Sequence, residues 1–272
     1  MSKVSQASPV RTFKAGPLQV RFEHGNLRYV RYHGTEILRA VSYVVRDRDW
    51  GTLSPVLSDI VIDETPGRFC ISYISTCQNN DVELALKAEI IGTADGMLRF
   101  AVDATPDGRF ETNRCGFNVL HPIDGVAGQS VRVEHCNGDI EETTFPDLIE
   151  PWQPFKSIRR LTHYPDAGLT ATCLFLGDEF EMEDQRNWSD ASFKTYVRPI
   201  ELPWPYLLDG AKTNTQSIEL SIEGSSARSA AGLPTRKGKA EDTPIHVIPE
   251  IGSGRVFPKT GLVITREEAN QP

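Results

Sequence analysis

The sequence contains neither a long apolar run nor a surplus of basic residues. No stretch of about 18 apolar residues is present, and Met1–Gln6 lead into polar sequence without the apolar core of a signal peptide. The 29 Lys and Arg against 37 Asp and Glu leave a net charge of −8, whereas nucleic-acid binding needs a basic face. These absences predict a cytoplasmic protein that binds neither nucleic acid nor membranes.

Cysteine pairs and the common catalytic motifs are missing as well. The five cysteines are odd in number and form no C-x-x-C pair, which argues against a disulfide framework or a zinc site. The sequence has no G-x-S-x-G elbow, no phosphate-binding loop and no H-E-x-x-H motif. We therefore do not expect serine-hydrolase chemistry on an α/β scaffold. No cofactor is predicted, and a divalent metal stays open because clustered carboxylates could bind one.

Helical periodicity is also almost absent. Short segments of alternating polarity follow one another instead, joined by turns, and the first of them form a hairpin through His24-Gly25-Asn26. Roughly ten or more such segments predict a mainly β protein. The expected architecture is a large antiparallel β-sandwich of the supersandwich type, with few or no long helices.

Composition divides the chain into four regions. Residues 1–14 are predicted to be a disordered N-terminus, and residues 15–224 are predicted to form the sandwich domain. Residues 225–244 are rich in Ser, Ala, Gly and basic residues, which predicts a flexible linker. Residues 245–272 contain one short apolar segment, Ile245–Gly252. Since one strand cannot form a core, this segment either packs back on the sandwich or begins a further domain.

The segment Phe180–Tyr196 concentrates charge directly after the apolar strand Leu169–Leu176. It contains no Gly or Pro, which a simple turn would use. If its start is extended, Glu181 and Glu183 share one face, and their carboxylates lie about 7 Å apart. Such a pair leaves room for a water or a sugar hydroxyl. The alternative is an edge strand whose charges discourage pairing with other strands.

Further candidates lie outside this segment. Arg114 could hold a carboxylate or polarise a carbonyl, and His121 could move protons near neutral pH. For His121 a hydrogen-bonded structural imidazole is the alternative. Platforms for sugar rings could come from Trp152, Trp188, Trp204 and Tyr206, although large aromatic residues more often fill a core. The proline-rich segment Phe145–Phe155 is predicted to be irregular, and irregular segments on a rigid sheet often carry binding groups.

Three segments of the sequence resemble a known family: Gly116–Pro122, Phe145–Phe155 and, above all, Glu181–Tyr196. They are similar to the N-terminal domain of the D-apionate lactonase family, also called D-apionolactonase, and the resemblance covers residues 15 to 225. The opening hairpin is also weakly similar to galactose-mutarotase-like sandwiches. The first resemblance implies hydrolysis of a branched sugar lactone in bacterial apiose catabolism, with a small sugar lactone or sugar acid as ligand.

The same resemblance implies a partner domain. Family members continue beyond the sandwich into a barrel-type domain, and Ile245–Gly252 is similar to the start of that region. A barrel domain in trans, or a homo-oligomer, is therefore an expected partner. Two other functions stay open, namely a non-catalytic module that binds carbohydrate or packs against a barrel, and a mutarotase-like epimerase.

The charge density and spacing of the candidates suggest a role for each. If the chain is catalytic, Glu183 or Glu181 is expected to act as the base on a water that attacks the lactone carbonyl. The developing oxyanion needs a positive charge or a hydrogen-bond donor, for which the candidates are Arg186, Lys194 and His121. Substrate binding is assigned to Arg114, Asn187, Trp188, Asp190 and Trp152.

Overall fold

The computed structural model describes residues 10–79, 82–210 and 212–224. Within these ranges the chain forms eighteen β-strands and one short 3₁₀ helix, Gln185–Trp188. In chain order the strands are β1 (Arg11–Ala15), β2 (Leu18–Glu23), β3 (Asn26–Tyr32), β4 (Thr35–Arg46), β5 (Val56–Thr65), β6 (Arg68–Asn79), β7 (Val82–Thr93), β8 (Met97–Pro106), β9 (Arg109–Thr112), β10 (Arg114–Pro122), β11 (Ser130–His135), β12 (Ile140–Thr144), β13 (Ile158–Asp166), β14 (Leu169–Leu176), β15 (Phe180–Asp184), β16 (Ser192–Val197), β17 (Tyr206–Asp209) and β18 (Asn214–Gly224).

One large antiparallel sheet contains sixteen of these strands. Its order is β1-β2-β3-β4-β10-β16-β15-β13-β14-β18-β8-β7-β6-β5, with β11 on β13 and β12 on β11, while β9 and β17 form a separate pair. This arrangement confirms the predicted mainly β fold without long helices. In the part of the chain that the structure describes, no helix is long and apolar enough to cross a bilayer.

The sheet curls so that distant strands pack face to face. Phe13 of β1 lies against Phe69 of β6, with ring centres 5.6 Å apart, and Phe100 of β8 contacts Phe117 of β10 edge-on at 5.0 Å. All four side chains are buried. Because alternate residues of each strand point inward, the inner faces of the curled sheet meet in one apolar core, as in a sandwich.

Strand β10 lies in the middle of this sheet, between β4 and β16. Its centre is packed tightly: a Cβ on Gly116 would come within 2.1 Å of the Val197 side chain. The Gln216 side chain also lies there, donating to the carbonyl of Cys115 (3.0 Å) and accepting from the N–H of Phe117 (3.3 Å). The sequence pattern did not predict a strand at this position, because the spacing of turns is irregular there.

The structure extends the sandwich slightly beyond the predicted start. Residues 11–14, which were assigned to a disordered N-terminus, lie in β1, and the last described strand ends at Gly224. The predicted linker at 225–244 and the predicted tail at 245–272 lie outside the described residues. The segment Phe145–Phe155 contains no strand, as predicted, and both of its terminal phenylalanines are buried in the core.

Candidate functional site

Strand β15 alternates as the sequence predicts, with Glu181 and Glu183 on one face of the sheet and Met182 and Asp184 on the other. The strand is not an exposed edge. Strand β16 pairs along one side of it, and on the other side the N–H of Met182 donates to the carbonyl of Phe155 at 2.8 Å. Protection of a sheet edge therefore does not explain the charges of β15.

Both glutamates contact residues directly opposite them on β16. Glu181 accepts hydrogen bonds from the Tyr196 hydroxyl (2.5 Å) and from the backbone N–H of Ile200 (2.7 Å). Glu183 lies opposite Lys194, whose Nζ is 2.7 Å from the Glu183 Oε2. Since Glu181 is only 1% exposed and Glu183 is half-buried, Glu183 is the carboxylate that a ligand can reach.

Arg114 extends the cluster onto β10. Its guanidinium carbon lies 4.2 Å from the ring centre of Tyr196 and 5.6 Å from that of Trp50. Trp50 in turn contacts Trp204 edge-on at 5.2 Å. Arg46 of β4 is the register partner of Arg114, so both point to the same side. We call this surface the polar sheet face; its members are Arg46, Arg114, Glu181, Glu183, Lys194 and Tyr196.

The charges on the polar sheet face shift the pKa values of their neighbours. Burial raises the pKa of Glu183, but the hydrogen bond and charge of Lys194 outweigh burial and hold that pKa below its usual value. For Lys194, burial lowers the pKa, and the ion pair with Glu183 offsets this only in part. The two balances differ because Lys194 also faces the positive charges of Arg114 and Arg46. Glu183 is therefore ionised at neutral pH beside a destabilised cation.

Arg186, a predicted oxyanion stabiliser, has a different environment. Its guanidinium donates to the buried carboxylate of Asp184 (Nη2 to Oδ2, 2.7 Å). It also donates to the carbonyls of Pro146 (3.1 Å), Asp147 (2.7 Å) and Leu148 (3.0 Å). These bonds attach the irregular segment 145–155 to β15. Because Asp184 points away from the polar sheet face, the structure does not bring Arg186 to Glu183.

His121 lies in the core rather than on the polar sheet face. On β10, Leu120 pairs with Lys194 of the polar sheet face. His121 is the next residue, so its side chain points to the opposite side of the sheet. Its Nε2 is 3.0 Å from Thr195 Oγ1, and its ring contacts that of His163. Burial lowers the pKa of His121 well below its usual value. This is the environment of a hydrogen-bonded structural imidazole, and it lies on the opposite side of the sheet from Glu183.

Two predicted binding residues follow β15 in the 3₁₀ helix. Trp188 is exposed, and its Nε1 donates to Oε1 of Glu183 at 2.6 Å, which places the indole at the rim of the polar sheet face. Asn187 instead donates to the backbone carbonyls of Glu150 (2.6 Å) and Asp184 (3.1 Å). It therefore holds the neighbouring segment in position.

Asp190 and Trp152 are both on the surface. The Trp152 side chain is 75% exposed, and Asp190 is exposed in the turn that leads into β16. Among the residues that the structure describes, no side-chain hydrogen bond or ring contact joins either of them to Glu183. The structure thus gathers Glu181, Glu183, Lys194, Arg114 and Trp188, and it leaves Arg186, His121, Asn187, Asp190 and Trp152 outside the cluster.

Sequence reasoning gave no ligand role to Arg46, Tyr196 or Trp50, whereas Trp204 was among the predicted aromatic platforms. Arg46 and Trp50 belong to a stretch of alternating charge, which indicates ordinary ion pairing between strands. Tyr196 closed the charged segment without an assigned role. The alternating charge was the one sequence signal that could have pointed to Arg46. Its place beside Arg114 follows only from the pairing of β4 with β10.

Neither the apolar cavity beside the first hairpin nor a metal cluster among the described residues offers a stronger site. A cavity of about 150 Å³ beside the first hairpin is lined mostly by apolar side chains. It contains Cys77, but burial raises the pKa of this thiol to about 11, so it is not a nucleophile at neutral pH. Within residues 10–79, 82–210 and 212–224, no group of three or more His, Cys, Asp or Glu is placed to hold a metal ion.

The polar sheet face combines three capacities. Glu183 can accept a proton from a water or hydroxyl. Lys194 and Arg114 can stabilise negative charge on an oxygen. Trp50, Trp204 and Trp188 offer aromatic surfaces of the kind that sugar rings stack upon. This arrangement of carboxylate, cations and aromatic rings suits a small polar ligand with an electrophilic carbonyl.

Solved structures define the class of fold. The chain is similar to galactose 1-epimerase from Lactobacillus acidophilus (TM-score 0.53, 8% identity, 82% of this chain and 97% of that one). It is also similar to a GalM/aldose epimerase homologue from C. elegans (0.51, 8%, 80% and 99%). A glycoside hydrolase family 97 enzyme from Pseudoalteromonas matches with only 35% of its own chain (0.51, 7%, 78% of this chain). At these identities the likeness shows a galactose-mutarotase-like β-sandwich fold and nothing further.

The sequence comparisons then show the particular family. A family model described as the N-terminal domain of D-apionate lactonase matches residues 1–225. A curated protein from Brucella anthropi named D-apionate lactonase is 46% identical over 269 residues, which cover 98% of this chain and 43% of the relative. The chain therefore belongs to the D-apionate lactonase family, and it spans less than half the length of that relative.

Proposed function

We propose that this chain forms the N-terminal part of an enzyme that hydrolyses D-apionolactone to D-apionate in bacterial apiose catabolism. In this reaction a water oxygen bonds to the lactone carbonyl carbon, the ring C–O bond breaks, and the leaving oxygen takes up one of the water's protons to become a hydroxyl. The acid that forms loses a second proton to become the carboxylate. Family membership and the 46% identity to D-apionate lactonase from Brucella anthropi support the proposal.

The observation that carries the proposal for these residues is the pairing of Glu183 with Lys194 beside Arg114. Glu183 would act as the base on water, because it is ionised and more accessible than the sealed Glu181. Lys194 and Arg114 would stabilise the oxyanion on the former carbonyl. As negative charge develops there, it draws Lys194 from Glu183, and the loss of this ion pair strengthens Glu183 as a base.

We further propose that the longer protein supplies a barrel-type domain that packs on the rim of the site. Four large apolar side chains are exposed on the segments that Arg186 and Asn187 hold together: Leu148, Ile149, Trp152 and Trp188. Exposed apolar residues held in a fixed position suit a domain interface. Contact with a second copy of this chain in a homo-oligomer would cover the same residues. We also propose that the protein is located in the cytoplasm.

Proton release tests the catalytic proposal. Wild-type chain, Glu183→Gln and Glu181→Gln are mixed with D-apionolactone in weak buffer, with full-length Brucella anthropi D-apionate lactonase as a positive control. Wild-type turnover that Glu183→Gln abolishes supports the proposal, whereas an unchanged rate in both variants overturns the assigned roles. We propose that no cofactor takes part, so EDTA should leave the rate unchanged.

The same samples separate the alternative functions. Saturable sugar-acid binding without proton release would identify a non-catalytic module. Equilibration of D-apiose anomers without ring opening to the acid, followed by NMR, would identify a mutarotase-like epimerase. For the packing proposal, a separately expressed C-terminal part of the Brucella anthropi enzyme is mixed with the chain and sedimented. Leu148→Glu should weaken this complex, and the matched control Ile140→Glu, an exposed residue on β12, should not.

A further inference from the structure

Arg114 is a buried cation without a hydrogen-bonded anion. The residue is 8% exposed, and its Nε–H has no hydrogen-bond partner. In the described part of the chain, no ion pair joins its guanidinium to a carboxylate. Its contacts are instead the rings of Tyr196 and Trp50. By contrast, Arg186 donates to Asp184 and to three carbonyls. Arg114 thus has a buried donor, Nε–H, that the fold does not use.

Such an arrangement is unfavourable for folding alone. An isolated buried charge loses its hydration, and cation–π contacts replace only part of it. Burial accordingly lowers the pKa of Arg114, and the nearby charge of Arg46 adds to this effect, against the influence of Glu183 and Glu181. The polar sheet face contains three cations, Arg46, Arg114 and Lys194, against two carboxylates. An added anion would balance this excess of positive charge.

We propose that Arg114, together with Lys194, is a carboxylate subsite that binds the sugar-acid anion more tightly than the neutral lactone or sugar. This inference rests on the proposed function for the identity of the acid. A guanidinium offers two parallel N–H donors to a carboxylate, and such pairs are stronger and more directional than neutral hydrogen bonds. Trp50 lies beside the guanidinium and limits the water that competes for it. The hydrolytic product should therefore inhibit the reaction.

A purely structural role for Arg114 makes the opposite predictions. If stacking on Tyr196 were its function, replacing Arg114 would loosen the sheet and lower the melting temperature. Any change in the affinity for anions would then follow from the loss of stability. If Arg114 is a ligand-binding residue instead, Arg114→Met removes an unpaired buried charge and fills a similar volume. The melting temperature should then stay unchanged or rise, as at other sites where function and stability conflict.

The test is titration calorimetry, supported by tryptophan fluorescence because Trp50 and Trp204 lie at the subsite. The probes are sodium D-apionate and the neutral sugar D-apiose. The variants are Arg114→Met, Arg114→Lys and, as a matched control, Arg132→Met, since Arg132 is half-exposed and paired with Glu142 on β12. We expect D-apionate to bind wild-type protein more tightly than D-apiose and to raise its melting temperature.

Arg114→Met should weaken D-apionate binding by about 10- to 100-fold, the range for losing hydrogen bonds to a charged group. Arg114→Lys should recover part of the affinity, and Arg132→Met should bind like wild type. Equal affinity of D-apionate for wild type and Arg114→Met overturns the inference, and so does a D-apiose affinity as high as that of D-apionate. A lower melting temperature of Arg114→Met with no Arg114-specific loss of binding would assign the structural role instead.

Failure of this inference can be told apart from failure of the proposed function. If the chain hydrolyses D-apionolactone but binds D-apionate independently of Arg114, the catalytic proposal stands and the carboxylate subsite is wrong. If D-apionate binds through Arg114 while no hydrolysis occurs, the subsite stands and catalysis by this chain fails. Both results come from the same purified proteins.

Discussion

The two faces of strands β10, β16 and β15 differ sharply although the same backbone carries both. On the core face, Phe117, Phe193 and Met182 are fully buried and pack into the sandwich. On the polar sheet face, Arg114, Lys194 and Glu183 of the same three strands form a charged cluster. Apolar burial stabilises the fold, whereas buried charges at best offset their own desolvation. The comparison thus separates what folding requires from what a ligand site requires.

The largest expected effect is on catalysis, at the polar sheet face. Glu183→Gln removes the proposed base and should lower kcat for D-apionolactone by about 10²- to 10⁴-fold, the usual contribution of general base catalysis. The change also leaves Lys194 without its ion-pair partner, so kcat is compared at a temperature at which the variant is folded. The matched control is Glu219→Gln, since Glu219 likewise pairs with a basic residue, Arg99, on a neighbouring strand. Equal rates for Glu183→Gln and wild type would remove catalysis from this face.

On the core side, we expect the largest loss of stability when the ion pair between Arg186 and Asp184 is broken. Arg186→Met leaves the Asp184 carboxylate buried without its cation, which costs about 3–5 kcal/mol for a broken buried pair. Urea denaturation measures the loss. The double variant Arg186→Met/Asp184→Asn should recover part of it, because the charge that was left unpaired is gone. If the single variant has the same free energy of unfolding as wild type, the ion pair does not stabilise the fold, and a role for Arg186 in ligand binding is open again.

Acid should destabilise the core through its buried histidines. Burial lowers the pKa of His163 from 6.5 to about 4, so below pH 6.5 the unfolded chain takes up a proton before the folded chain does. Stability present at neutral pH is therefore lost as the pH falls from 6.5 towards 4, by about 3 kcal/mol for His163.

Denaturation at several pH values checks this prediction. His163→Leu should flatten the dependence between pH 6.5 and 4, and the exposed His33→Leu should not. A slope that is the same for His163→Leu and wild type would mean that His163 already takes up a proton in the folded core.

The smallest expected effect concerns the hydrogen bond from Tyr196 to Glu181. Tyr196→Phe removes the hydroxyl that donates to Glu181, leaving this sealed carboxylate with the N–H of Ile200. We expect a loss of about 1.5–2 kcal/mol, typical of a hydrogen bond to a charged group. Tyr164→Phe, at a half-exposed ring on β13, is the control. No difference between the two would show that Glu181 gains nothing from Tyr196.

Much of the fold is readable from local patterns. Alternation and turns predicted the mainly β sandwich, because strand formation with one buried face leaves a period of two in the sequence. The same rule placed Glu181 and Glu183 on one face of β15. Strand β10 was missed because the spacing of turns is irregular around it. The packing that holds it, such as that of Gly116 against Val197 and Gln216, involves residues far along the chain.

The candidate site was readable only in part. Charge density drew attention to the segment containing Glu183 and Lys194, and these two residues do contact each other. Charge density also pointed to Arg186, which instead binds Asp184 and the backbone of the 145–155 segment. A charged side chain looks the same in sequence whether it faces a ligand or closes a loop, since the difference lies in what packs around it.

The sequence by itself determined the class of fold, the alternation of β15 and the family to which the chain belongs, because these follow from short-range periodicity and from motif similarity. Tertiary structure alone decided which charges meet. It brought Arg114 and Arg46 beside Glu183 and Lys194 through the pairing of β4, β10, β16 and β15, and it turned His121 into the core. The physical reason is that strand pairing joins residues far apart in sequence, and a one-residue change of register reverses every side chain.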